Sequence, residues 1–209
     1  RGLINSLNLE DSGLCRSILA LARRHGQMVV CLPLEGREIP REPARRLELC
    51  RRILELAMEE GLAPEDLVFD PLILTLATGP ASDRDNGRAA LETLELIQAG
   101  LPGCFTIMGV SNVSYGLPKA FRPVLNNVLL HHAAVRGLDF AIFNPAERME
   151  PGALDPAARE LAEDLLFGRR EDALDRVLAW QASPDAAPAT AAAEPDLAAS
   201  PVERLRKMI

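Results

Sequence analysis

The sequence has few aromatic residues and no excess of positive charge, and both shortages limit what the protein can be. Aromatic side chains make up 4% of the 209 residues, so leucine, alanine, isoleucine and valine must form most of the core. The net charge of −7 argues against a nucleic-acid-binding surface, which needs clustered lysine and arginine. No apolar run reaches the about 18–20 residues that cross a bilayer. We therefore expect a cytoplasmic protein without a membrane or nucleic-acid partner.

Closely spaced cysteines and the common nucleotide and hydrolase motifs are also missing. The chain has four cysteines, Cys15, Cys31, Cys50 and Cys104, and none of them forms a CxxC pair. Zinc sites usually need closer spacing, so we expect four reduced thiols and no metal site. No GxGxxG follows the first predicted strand, which weakens a dinucleotide fold, and no serine lies in a GxSxG elbow.

Predicted strands and helices alternate through the first two-thirds of the chain. The strands are expected within residues 2–10, 27–36, 64–79, 104–116 and 138–145, each followed by a helical pattern or a polar turn. Five βα repeats in a row imply a parallel sheet with right-handed crossovers. Their period of roughly 30 residues fits a (β/α)8 barrel better than an open doubly wound sheet. Because five strands cannot close such a barrel, we expect residues 1–150 to be its C-terminal five βα units.

The pattern changes after residue 150. Residues 151–182 are predicted to form a helical extension, and residues 183–200 read as an Ala/Pro-rich linker. A new helix is then expected in residues 201–209, with Ser200 as its N-cap and Pro201 in its first turn. A further domain is expected to follow that helix, and about three βα units are expected upstream of Arg1.

Polar side chains gather at the C-terminal ends of the predicted strands, where barrels of this type carry their chemistry. The main candidates are Asn5, Asp70, Ser111, Asn112 and Asn144. Asparagine offers a donor and an acceptor on one rigid amide, so a ring of Asn and Asp can match a flat heterocycle with alternating donors and acceptors. The alternative for each single residue is that it caps a turn, as Asn commonly does.

Four segments that carry these tips resemble one known family. They are "LINSLNLE", "LVFDPLILTLATG", "GVSNVSYGLP" and "GLDFAIFNP". In order and spacing they are similar to the pterin-binding barrel of the methyltetrahydrofolate:corrinoid methyltransferases, which include the folate domain of cobalamin-dependent methionine synthase. The resemblance runs from about Arg1 to Pro145. In addition, "SPVERLRKMI" resembles the first helix of a cobalamin-binding helical cap.

The resemblance implies a role for each of these polar residues at the strand ends. Asn5 and Asp70 are expected to hydrogen-bond the polar edge of the pterin, and Asn112 is expected near N5, the atom that carries the methyl group, as the catalytic residue. Gly109 and Ser111 are expected to shape the loop around Asn112, and Asn144 is a further substrate-binding candidate. The family also has an acidic residue on its third barrel strand, which this chain does not contain.

The implied reaction is transfer of the N5 methyl group of 5-methyltetrahydrofolate to cob(I)alamin, as in methionine synthesis. The expected partner is a cobalamin-binding domain, fused downstream or separate. One alternative is a non-catalytic module that only docks the cobalamin domain. Another is an enzyme like dihydropteroate synthase, which has the same barrel but a basic motif after its seventh strand. The corresponding loop here, "GVSNVSYG", has no basic residue.

Overall fold

Five parallel strands form the sheet of this protein. The computed structural model describes residues 1–34, 36, 38–77, 84–149 and 151–181. The strands are β1 (Leu3–Leu7), β2 (Met28–Cys31), β3 (Leu67–Phe69), β4 (Phe105–Gly109) and β5 (Phe140–Ile142). Each of the five lies inside a segment for which the sequence predicts a strand, so these predictions are confirmed.

Helices follow the strands as the sequence predicts. They are α1 (Ser12–His25), α2 (Pro43–Glu59), α3 (Asn86–Gly100), α4 (Arg122–Ala134), α5 (Pro156–Leu166) and α6 (Ala173–Gln181). The first helix shows why the boundaries can be read locally. The Asp11 carboxylate accepts from the N–H groups of Gly13 and Leu14 at 2.8 and 3.0 Å. At the other end Gly26 takes the left-handed conformation with φ 60°, which glycine adopts without the steric cost of a side chain.

The strand order distinguishes a barrel from an open doubly wound sheet. The strands lie in the order β1-β2-β3-β4-β5, and every neighbouring pair is parallel. A doubly wound sheet would reverse its order at a switch point, whereas a barrel adds each new strand to the same side. The sheet is therefore the five-strand part of a (β/α)8-type barrel, as predicted.

Both faces of the sheet are apolar. Val30, Val68 and Ile107 form the inner cluster, and each is at most 5% exposed. Residues of the opposite face, such as Leu67 and Phe69, pack instead with the helices around the sheet. Burial on both faces is typical of parallel sheets. The outermost strands differ, because Leu3 on β1 is 47% exposed and Ile142 on β5 is 54% exposed.

The helices after β5 pack into the same core as the barrel units. Ala158 and Leu165 of α5 and Val177 of α6 belong to one buried cluster with Phe121 and Leu125. The Phe121 and Trp180 rings meet edge to face, with their centroids 5.3 Å apart. The helical extension thus covers the outside of α4. The predicted linker (183–200) and cap helix (201–209) lie outside the described residues.

The four cysteines have free thiols, as predicted, and Cys15, Cys31 and Cys50 are buried. None of the helices in the described ranges is long and apolar enough to cross a membrane.

Candidate functional site

The loops that follow β3 and β4 are tied to each other at the C-terminal edge of the sheet. The Thr75 hydroxyl donates to the carbonyl of Tyr115, and the N–H of Leu76 donates to the carbonyl of Val113 at 3.1 Å. The second loop is not irregular, because Val110–Ser114 forms a 3-10 helix. These cross-loop bonds hold two of the predicted polar tips, those after β3 and β4, on one continuous rim.

Asp70 lies at the tip of β3 and is largely enclosed. Its N–H continues the sheet by donating to the Cys31 carbonyl at 3.1 Å. Its Oδ1 accepts from the N–H of Leu72 at 2.8 Å, and the backbone N–H of Gly109 favours the charged form of the carboxylate. Burial raises the pKa of Asp70 to about 6, and these two N–H groups and the nearby Arg46 guanidinium offset part of the rise. Asp70 is therefore mostly ionised at neutral pH and partly desolvated.

Arg46 supports this rim from inside α2, and the sequence analysis did not single it out. Its side chain is 1% exposed. Nε donates to the Pro40 carbonyl at 2.6 Å, and one terminal nitrogen donates to the carbonyls of Pro71 and Leu72 at 2.9 and 3.0 Å. Burial lowers the pKa of Arg46 to about 10, so it stays charged at neutral pH. Arg46 thus holds the chain after Asp70 and places a positive charge near its carboxylate.

Arg46 could not be found from its local pattern. It lies in "PARRLELCRR", where several arginines share an amphipathic helix. Its carbonyl partners at Pro71 and Leu72 are 25 and 26 residues away. The one sequence feature that could have identified Arg46 as buried is its position on the apolar face of the helix.

Asn112 lies in the middle of the 3-10 helix with its side chain turned back toward the end of β4. A β-carbon built on Gly109 would come within 3.4 Å of the Asn112 Nδ2, so glycine leaves room for that orientation. Ser111 and Asn112 are exposed, whereas Ser114 is 1% exposed and donates its hydroxyl to the Ser111 carbonyl at 3.2 Å. Within the described part of the chain no hydrogen bond occupies the Asn112 amide. Its donor and its acceptor both remain available.

Asn5 and Asn144 are less closely connected to this rim. Asn5 is exposed on β1 and pairs with Val30, so β2 lies between it and the tip of β3. Asn144 caps its own turn: its Oδ1 accepts from the N–H of Ala146 at 3.2 Å, and its Nδ2 donates to Glu147 at 2.9 Å. The capping alternative therefore accounts for the contacts of Asn144. The structure groups Asp70, Gly109, Ser111 and Asn112, and leaves the other two tips at the outer strands.

An open groove of about 480 Å3 continues from Asn112 along the start of α4. We call it the rim groove. It is lined by Ser111, Asn112, Ser114, Tyr115, Lys119, Arg122, Pro123, Asn126 and Glu147. Its volume is within the range of small-molecule sites.

A second groove, of about 320 Å3, lies on the outside between α4 and α5. Three of its ionisable groups pair with each other: Glu163 contacts His132 at 3.3 Å and Arg159 at 3.1 Å. His132 also meets the Phe167 ring edge to face, and burial lowers the pKa of its imidazole. These contacts explain His132 as a packing residue. Among the described residues no group of three or more His, Cys, Asp or Glu side chains could hold a metal ion.

The segment that contains the five strands also matches a known protein family. Residues 1–144 match the family described as "Pterin binding enzyme". The chain belongs to the pterin-binding enzyme family. That match covers all five strands and includes Asp70, Gly109, Ser111 and Asn112.

Two curated relatives extend the match beyond β5. The chain is 31% identical over 180 residues to the methionine synthase of Mycobacterium tuberculosis (strain ATCC 25618 / H37Rv). It is 29% identical over 180 residues to the methionine synthase of Mycobacterium leprae (strain TN). Each match covers 84% of this chain but only 15% of the relative's length.

Proposed function

We propose that this pterin-binding enzyme domain binds 5-methyltetrahydrofolate and positions its N5 methyl group for transfer to a corrinoid. One observation carries the proposal: a desolvated carboxylate and an unpaired amide lie on two loops that are bonded to each other. Asp70 supplies the carboxylate and Asn112 supplies the amide. Membership of the family and the two methionine synthase relatives support the same assignment.

Asp70 is suited to the polar edge of a pterin. The N–H of Leu72 already donates to Oδ1 and orients the carboxylate, which leaves its remaining lone pairs for the N–H groups and exocyclic amine of the ring. Because the carboxylate is partly desolvated, a hydrogen bond to it is stronger than in water. Asn5 would add a contact from β1, and the position of Asn144 makes it the weakest candidate.

Asn112 is suited to the reacting nitrogen. When the methyl group leaves, N5 keeps the electron pair of the N–C bond, and protonation of N5 makes this departure easier. An amide can donate to the neutral N5 and accept from the protonated N5, so we assign Asn112 to hold the protonated form more strongly. Such binding lowers the barrier because it strengthens as charge develops. The corrinoid, held by another domain or protein, would supply the cob(I)alamin nucleophile.

The uncharged loop after β4 favours this chemistry over that of dihydropteroate synthase. That enzyme releases pyrophosphate, which calls for basic groups at the tips of the last strands. Here the 3-10 helix after β4 contains no charged residue, and β5 leads into an asparagine–proline turn. A methyl donor has no phosphate to neutralise, so the uncharged tips fit it better.

The test is Asn112→Ala in the full-length protein, assayed for methyl transfer and for folate binding. We expect the transfer rate to fall about 100-fold, as for loss of one transition-state hydrogen bond, while folate affinity falls less than about fivefold. Ser17→Ala, an exposed polar side chain on α1 away from the strand tips, is the control and should change both quantities little. Equal losses of rate and affinity would contradict the assigned role, and unaltered transfer with weakened corrinoid-domain binding would favour a docking module.

A further inference from the structure

Leu72, two residues after Asp70, has a backbone conformation that leucine rarely adopts. Its φ is 60°, and among the described residues it is the one non-glycine residue with a positive φ. A left-handed backbone brings the β-carbon close to the carbonyl oxygen that follows it, so the conformation costs free energy. A residue keeps such a conformation only when the surrounding contacts hold it there. The bonds around Leu72 must therefore supply what its local backbone lacks.

The peptide group between Pro71 and Leu72 is hydrogen-bonded at both ends. Its carbonyl, which belongs to Pro71, accepts from a terminal nitrogen of Arg46 at 2.9 Å. Its N–H, which belongs to Leu72, donates to the Asp70 Oδ1 at 2.8 Å. Because a trans peptide group is planar, with its carbonyl and N–H pointing in opposite directions, a bond at one end fixes the direction of the other. Arg46 therefore aims this N–H at the carboxylate.

Arg46 also holds the far side of Leu72. The same terminal nitrogen donates to the Leu72 carbonyl at 3.0 Å, and Nε is anchored on the Pro40 carbonyl at 2.6 Å. The donors of a guanidinium form a rigid fork, so these bonds fix the carbonyls relative to each other. The side chain of Arg46 is 1% exposed, which keeps water from competing for the same acceptors. The contacts that hold Leu72 in its unfavourable conformation thus come from α2.

The charge of Arg46 reaches Asp70 without a direct hydrogen bond between the two side chains. The guanidinium lies near the carboxylate and favours its ionised form. The Cys50 thiol also faces Arg46, but burial raises the pKa of this thiol and keeps it neutral. A direct ion pair would occupy carboxylate oxygens, whereas the indirect arrangement leaves their free lone pairs to a ligand.

We propose that Arg46 is a positioning residue for folate binding: it holds Leu72 in the left-handed conformation and thereby orients the Asp70 carboxylate toward the pterin. The inference rests on the proposed function, because it takes Asp70 as the partner of the ring. The bonds to the two carbonyls set the direction of the carboxylate, and the positive charge keeps it ionised. An arginine with only a structural role would stabilise the loop and leave the folate affinity of the folded protein unchanged.

The first test compares Arg46→Met with Arg46→Lys in the full-length protein, by equilibrium binding of 5-methyltetrahydrofolate from about pH 5 to about pH 9. Arg46→Met removes the bonds and the charge. Affinity at pH 7 should therefore fall about tenfold, and the pH midpoint of binding should rise above about 6. Arg46→Lys keeps the charge but loses the fork, so affinity should fall about threefold at an unmoved midpoint. Arg52→Met, at an exposed arginine of α2, is the control and should change neither quantity.

The second test asks whether a glycine can replace the work of Arg46 on the backbone. Glycine adopts a φ of 60° without the steric cost of a side chain. Leu72→Gly should therefore raise the folate affinity of the Arg46→Met protein about threefold. In the unmodified protein the same substitution should give no gain, because Arg46 already holds the conformation. Absence of this rescue would overturn the conformational role.

Arg46→Lys keeps the proposal testable if Arg46→Met does not fold. The Leu72→Gly rescue is then measured in the Arg46→Lys protein, where the same direction of change is expected. A lower melting temperature of Arg46→Lys with unaltered folate affinity would overturn the proposal and make Arg46 a packing residue.

Asp70→Asn separates failure of this inference from failure of the proposed function. If Asp70→Asn leaves folate affinity unaltered, the proposed role of Asp70 is wrong, and the positioning role falls with it. If Asp70→Asn weakens binding but the Arg46 variants bind folate normally, folate binding stands and the positioning role is overturned. With Asp70→Asn already present, Arg46→Met should weaken binding less than about twofold further, because Arg46 acts through that carboxylate.

Discussion

The polar groups at the two ends of the parallel sheet differ in how completely they are hydrogen-bonded within the protein. At the N-terminal end, the buried Thr106 is fully served by Asp139, whose carboxylate accepts from the Thr106 N–H and hydroxyl at 2.8 and 2.9 Å. Gln98 joins the same cluster through its amide. At the C-terminal end, the Oδ1 of the buried Asn126 has no hydrogen-bond partner among the described residues, and the exposed amide of Asn112 bonds to no protein group there.

This difference separates stability from recognition. A polar cluster whose members hydrogen-bond each other stabilises the fold. Its donors and acceptors are then no longer available to a ligand. A rim with unpaired amides and a desolvated carboxylate sacrifices stability and retains hydrogen-bonding capacity. The same division is typical of barrels, in which chemistry lies at the C-terminal face.

Removing the carboxylate of Asp70 should give the largest effect on binding. We expect Asp70→Asn to lower folate affinity about 100-fold, because a charge-assisted pair with the ring is lost. The same variant should stabilise β3 and β4 by about 1–2 kcal/mol at pH 8, since a desolvated charge is removed. Titration calorimetry and hydrogen exchange measure the two changes. Loss of both affinity and stability would break the contrast between the ends of the sheet.

Removing the carboxylate of Asp139 should show the opposite pattern. In Asp139→Ala the N–H and hydroxyl of the buried Thr106 lose their acceptor, which should destabilise the sheet by about 2 kcal/mol. Folate affinity should stay within about twofold, because this end contacts no ligand. Hydrogen exchange at β4 and equilibrium binding would check this, and a large loss of affinity without destabilisation would contradict it.

Acid should act on the rim in two opposite directions. The pKa of Asp70 in the folded chain is about 6, above its usual 3.8, so the folded state holds this proton more tightly. Its contribution to stability therefore falls as pH rises from about 4 to about 6. Folate binding to the ionised carboxylate should instead be about tenfold weaker at pH 5 than at pH 7. Asp70→Asn should flatten both profiles, and a pH-independent affinity in the unmodified protein would exclude the ionised carboxylate as the pterin partner.

The smallest effect is expected at the outer strand. Asn144→Ala removes a cap whose contacts stay within its own turn, so the cost should be about 0.5 kcal/mol or less. Folate affinity should fall less than about twofold. A tenfold loss in the binding assay would restore Asn144 to the substrate-binding group and widen the rim as far as β5.

Much of the fold could be predicted because its signals are local. Apolar periodicity, the Asp11 and Gly26 caps and the repeat of βα units depend on residues close together in the chain. The sequential strand order then follows from short right-handed crossovers. The rim could be predicted only as a set of strand tips. Which of those tips come together depends on the cross-loop bonds of Thr75 and Leu76, and those bonds join residues about 40 apart.

The sequence by itself determined the barrel class, the uncharged loop after β4 and the resemblance that the family match confirmed. Only the tertiary structure decided which polar groups are hydrogen-bonded within the protein and which remain available to a ligand. Asn126 and Asn127 are adjacent and chemically identical, yet the distant Met149 N–H donates to Asn127 Oδ1, whereas Asn126 Oδ1 has no donor within the described residues. Likewise Arg46 supports Asp70 because folding brings α2 under the β3 tip. Hydrogen-bond satisfaction and desolvation depend on neighbours in space, and local sequence does not encode them.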